Sequence, residues 1–125
     1  MTDTVTVTFA ADTRNVALAR TLTAAMAARA DLTLDRLEDA RLAVDEAVSE
    51  VLASAPPGAE VTAAFTPSEG RLTVVVSAAT QAQAPPSETS FGWTVLTALA
   101  DVADASVIDG RLTIHVEVAQ ETVGA

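Results

Sequence analysis

Asp39-Ala-Arg-Leu-Ala-Val-Asp-Glu-Ala-Val-Ser-Glu-Val-Leu52 is built from strong helix formers, and no glycine or proline interrupts it. Upstream, Thr33 can cap this helix. Asp35 falls in the first turn, where the helix dipole favours negative charge. Leu34, Leu37, Val44, Val48, Val51 and Ala55 recur at three-to-four spacing and predict one buried stripe. Pro56-Pro57-Gly58 ends the helix. Glu46 and Glu50, four residues apart, share a face, with Asp39 and Asp45 near it in projection. Two carboxylates at this spacing suit a divalent cation or an acid/base pair. The same spacing is also what a solvated acidic face beside an apolar stripe produces.

Before this helix, Thr4-Val-Thr-Val-Thr-Phe9 alternates with period two and predicts a half-buried strand with Val5, Val7 and Phe9 on one face. Asp12 or Thr13 can cap a helix running to about Ala30, with Val16, Leu18, Leu22 and Met26 as its larger apolar positions. After it, 60–66 and 71–77 read as strands joined by Pro67-Ser-Glu-Gly70. Residues 78–87, with Pro85-Pro86, read as a flexible loop. Ser90 can cap a helix over 91–102. Asp109-Gly110 between β-branched runs predicts a closing hairpin over 105–118, followed by a frayed tail from Gln120. Strands cluster apart from helices, which predicts an α+β, two-layer sandwich. Its sheet is mixed or antiparallel, mostly the latter, with about five strands and three helices on one face. One domain over 1–125, with a core at about 4–118, is expected.

The net charge is −10, with seven arginines and no lysine. Direct nucleic-acid binding is disfavoured, because neutralising phosphates needs a cationic surface. A basic protein partner fits better. Without cysteine or lysine, disulfides, thiolate chemistry, a Walker A loop and a Schiff-base nucleophile are excluded. A single histidine, His115, argues against a zinc site of ordinary ligands. No signal-peptide pattern and no membrane-length apolar run is present, so a cytoplasmic protein is expected.

Individual residues carry less. Ser49 has no nearby base and reads as a helix-surface serine. His115 has no visible partner. Phe91 and Trp93 can stack on an adenine ring or serve as large core pieces, and core packing is the expectation for both.

Arg41-Leu-Ala-Val-Asp-Glu-Ala-Val48 and Ser90-Phe-Gly-Trp-Thr-Val-Leu-Thr-Ala-Leu-Ala-Asp101 together resemble the anti-sigma factors with a serine-kinase fold. These belong to the histidine-kinase and gyrase ATPase superfamily, and the likeness is to the actinobacterial branch that controls general-stress sigma factors. The resemblance spans Thr4 to Val118, including element order. It implies that Glu46 stands where kinase members keep the glutamate acting on the attacking hydroxyl. Glu50 stands where they keep a magnesium-holding asparagine. The adenine-reading aspartate and its glycines are missing from Val76-Ser-Ala-Ala-Thr-Gln-Ala-Gln-Ala-Pro85, and only Gly92 remains of the phosphate loop. The resemblance places the partner surface on the first helix, at Arg20 with Arg14 and Val16. It implies a homodimeric anti-sigma factor holding a sigma factor and opposed by an anti-anti-sigma (STAS-domain) protein. No cofactor is expected on these losses. ATP and magnesium, held at Glu50 and Gly92, belong to the alternative of an active serine kinase with Glu46 as base and Glu50 as metal ligand. An orphan interaction domain is the remaining alternative.

Overall fold

A computed structural model describes residues 3–120. The chain runs β1 (Val5–Ala10), a 3-10 turn (Thr13–Asn15), α1 (Val16–Arg29), α2 (Leu34–Ser54), β2 (Glu60–Ser68), β3 (Arg71–Ala79), α3 (Phe91–Leu99), β4 (Val102–Ile108) and β5 (Arg111–Ala119). The five strands form one sheet in the order β1-β2-β3-β5-β4. Every neighbouring pair is antiparallel, so the expected sheet takes its unmixed form.

Alternation sets the two faces of the sheet. Val61, Ala63 and Phe65 on β2 are buried, as are Leu72, Val74, Val76 and Ala78 on β3 and Leu112, Ile114, Val116 and Val118 on β5. All face the helices. The opposite face is hydroxyl-rich: Thr8, Thr62, Ser77, Thr113 and Ser106 lie in register across all five strands. Asp109 and Gly110 take positive φ of 52° and 73°, the conformation the predicted two-residue hairpin requires. The β2–β3 turn is tighter than expected. Pro67 is still in register, opposite Leu72, and only Glu69 and Gly70 turn. Proline is tolerated there because the β1 pairing stops at Phe65, leaving no ladder donor to lose on that side.

On the helices, small residues carry the packing. α2 buries Ala40, Ala43, Val44, Ala47, Val48 and Val51, and α1 buries Ala19, Thr23, Met26 and Ala27. Alanine lets a helix axis lie close to the sheet. Leu34 departs from the expected stripe and is 72% exposed, since the first turn of α2 precedes the part that crosses the sheet. Leu18 is also largely exposed, because α1 turns the Ala19–Thr23 side inward. Thr23 is the one buried polar residue among those described, and its hydroxyl donates to the Ala19 carbonyl at 2.7 Å.

α3 ends at Leu99 and β4 starts at Val102, earlier than the expected 105. Arg36 explains the difference. Its guanidinium donates to Asp101, to Asp39 at 2.8 Å and to the Ala119 carbonyl at 2.8 Å. The Asp101 carboxylate also accepts from the Ala119 amide, while the Asp101 amide donates to the Glu117 carbonyl. Asp101 is thereby held to β5 and cannot stay in a helix. Gln120 is equally tied: its amide donates to Gly70 and its side chain accepts from the Thr33 amide. The expected fraying does not begin there, and 121–125 lie outside the described residues.

Candidate functional site

Glu46 and Glu50 are two consecutive turns of α2 facing the start of α3. Ser90 caps α3, its hydroxyl accepting from the Trp93 amide at 3.2 Å and its carbonyl from the Thr94 amide at 3.0 Å. The helix buries Trp93 and Leu96, three residues apart. Phe91 therefore points outward and is 83% exposed, contrary to the core role expected of it, whereas Trp93 takes that role.

Gly92 is where the two helices meet. A methyl group there would lie 2.6 Å from Glu46 Oε2 and closer still to Glu50 Oε1. Only a residue without a β-carbon leaves the two carboxylates where they are. Burial pushes the Glu50 carboxyl above its ordinary 4.5, and the adjacent Glu46 charge and a hydrogen bond to Glu46 push it further. A proton shared by neighbouring carboxyls is the chemistry such a pair supports.

A raised folded pKa has a defined sign. The stability due to Glu50 is fully present below 4.5 and is lost as pH rises through the raised folded value. Glu50→Gln should melt at a higher temperature than the parent at pH 7. The gap should close as pH falls toward 4.5, and a pH series of calorimetric scans checks both. A gap that does not change with pH would rule out the proton as its cause.

The other acids are drawn elsewhere. Asp45 accepts from Arg20 of α1 at 3.0 Å, and Asp39 from Arg36. Arg14 is 88% exposed and pairs with Asp12, whose carboxyl its hydrogen bonds hold down at about 2. Val16 is half-buried against the core, so it supports α1 from within more than it offers a surface. Of the three residues expected on the partner surface, Arg20 alone is joined to α2 beside Glu46. Ser49 only bonds back to the Asp45 carbonyl at 2.9 Å, as a helix-surface serine does.

His115 has the partner that was not anticipated. Its Nε2 lies 2.7 Å from Glu117 Oε2, and Arg71 holds the other oxygen. Hydrogen bonds from His115 and Arg71 lower the Glu117 carboxyl. The triad stands on the outer face of the sheet, away from Glu46. Residues two apart on a strand share a face, which was the available signal. Arg36 left a local signal only for Asp39, three residues on along the same helix; its other partners are 65 and 83 residues away.

A nucleoside triphosphate with magnesium is the group this kind of fold implies, and these residues do not suit it. The start of α3 already faces two carboxylates, and two of its amides serve Ser90. Beyond Glu50, the space lined by Ala53, Ser54, Ala82, Ala84, Pro86 and Leu112 is about 170 Å³. Ligand pockets commonly exceed about 300 Å³. No third ligand joins the pair among the described residues, where no group of three metal-binding side chains occurs.

Comparison with known proteins agrees with this architecture. Residues 9–116 match the model of the histidine kinase-like ATPase domain. The chain is 41% identical over 92 residues to proteins named anti-sigma-F factor RsbW from two Mycobacterium tuberculosis strains, CDC 1551 and H37Rv. That stretch is 74% of this chain and 55% of theirs, so the match spans little more than half of those relatives. No helix among the described residues is long and apolar enough to cross a membrane. With the family model covering most of the chain, the chain belongs to the histidine kinase-like ATPase domain family.

Proposed function

We propose that the chain is an anti-sigma factor that sequesters a stress-type sigma factor in the cytoplasm without needing ATP. The observation that carries the nucleotide-independent half is the Gly92 contact. The two carboxylates of α2 lie against the α3 start, where a kinase of this fold would hold phosphates. A triphosphate brought there would meet uncompensated negative charge: Glu46 and Glu50 form no ion pair among the described residues. The sigma-binding half is supported by likeness to the mycobacterial anti-sigma-F factors. The net charge of −10 also suits a partner that is itself basic because it works on DNA.

On this reading Arg20 is the central contact on α1, and Arg14 extends it. A homodimer acts as the holding unit. An anti-anti-sigma protein of the STAS class releases the sigma factor by competing for the same helix, since phosphorylation by this chain is not available to do so. The alternative is an active serine kinase, which would need Glu46 free as base and Glu50 as metal ligand. Against it stands the placement of both carboxylates on Gly92.

The test is a titration of each stress-type sigma factor of the source organism into the full chain, with and without magnesium-ATP. Submicromolar binding equal in both conditions is expected, with no heat from magnesium-ATP alone at millimolar concentration. Nucleotide binding that disappears in Glu46→Ala or Glu50→Ala would establish the kinase instead.

A further inference from the structure

We infer that the groove between α2 and α3 docks a basic amphipathic helix of the partner protein, as a second contact beside Arg20. The inference rests on the anti-sigma reading for the identity of that partner. Leu42, Asp45, Glu46 and Ser49 of α2 line the groove on one side, and Val95 and Leu99 of α3 on the other. Its volume is about 210 Å³. That is below the range usual for small-molecule sites but enough for anchoring side chains.

Leu42, in the lining, is 51% accessible. Phe91, 83% accessible, lies outside the lining, one turn before Val95 on α3, and extends the apolar stripe beyond it. Phe91, Val95 and Leu99 repeat at four-residue spacing, a stripe about 12 Å long at 1.5 Å per residue. This matches two turns of a partner helix presenting anchors at i and i+4 or i+7.

Charge decides which helix. Arg14, Arg20, Arg29, Arg36, Arg41 and Arg71 each pair with an acid of this chain. Glu46, on the wall of the groove, and its neighbour Glu50 have no such cation among the described residues. An apolar lining beside unpaired carboxylates accepts a helix with lysine or arginine flanking its apolar side. A second copy of this chain would bring acid against acid. The groove also continues the α1 surface, because Asp45 is both its wall and the acceptor of Arg20. A partner seated on Arg20 reaches the groove without a gap.

Two side chains test this, both exposed enough to change without unfolding the chain. The affinity of the sigma factor is measured for the parent, Leu42→Asp, Phe91→Asp and Arg20→Glu, with circular dichroism and melting temperature as fold controls. In parallel, overlapping 20-residue peptides tiling the sigma factor are titrated by fluorescence anisotropy. Each groove variant is expected to lose tenfold or more in affinity with the fold kept. One basic amphipathic peptide is expected to bind the parent, more weakly as salt rises, and not to bind Leu42→Asp. Binding lost in Arg20→Glu but kept within twofold in both groove variants would confine the partner to α1 and overturn the groove. An acidic or uncharged peptide binding there would overturn the stated chemistry. A parent chain that binds no sigma factor would overturn the anti-sigma reading itself, and this occupant with it.

Discussion

Arg20→Glu should weaken sigma-factor binding by about thirtyfold or more while leaving the chain folded. An interfacial arginine at the centre of a contact is commonly worth about 2 kcal/mol or more, which is about thirtyfold in Kd. Here the reversal acts twice. It removes the cation offered to the partner, and it sets a carboxylate beside Asp45 and Glu46, where a guanidinium had been 3.0 Å from Asp45 Oδ1. The cost to the fold is smaller. Both side chains of the pair are partly exposed, at 40% and 27%, and such bridges contribute about 0–1 kcal/mol. The measurement is sigma affinity alongside melting temperature. A large loss of affinity with a melting point lowered by only a few degrees is the expected pattern, and unchanged affinity would remove Arg20 from the contact. Arg20→Ala, which adds no negative charge, should fall between the two.

Leu96→Ala should cost a large share of the domain's stability. Leu96 is fully buried, and α3 has only Trp93 as its other buried residue. Truncating a buried leucine costs about 2–5 kcal/mol, the transfer of its methyl groups plus the cavity they leave. Domains of this size have about 5–15 kcal/mol in total. A drop in melting temperature of about 10 °C is therefore expected by calorimetry. A nine-residue helix is too short to persist alone, so its order depends on docking. Hydrogen exchange at the Val95 and Leu99 amides should accelerate more than exchange in β3. Uniform acceleration across the sheet would mean that α3 opens only with the whole domain. Because Gly92 belongs to the same helix, the variant should also release the Glu46–Glu50 pair, and the pH dependence of melting attributed to Glu50 should shrink with it.

Much of this protein was determined locally and could be read from the chain. The period-two run fixed β1 and which of its side chains face the helices, because successive side chains on a strand must alternate. Asp109-Gly110 fixed the last hairpin, because only residues tolerant of positive φ make that turn. The four-residue spacing of Glu46 and Glu50 fixed their common face.

Tertiary structure decided the rest. Which aromatic of α3 enters the core depended on where α2 and the sheet lie, so Trp93 went in and Phe91 out. The end of α3 was set by Arg36 reaching Asp101 across 65 residues, a contact no local propensity encodes. Leu34 and Leu18 matched an apolar helical pattern yet stayed exposed, because a stripe is buried only where another element covers it. The candidate site divides in the same way. The sequence placed two carboxylates on one helix and a lone glycine on another. That both carboxylates lie against that glycine follows from the docking of α3 on α2.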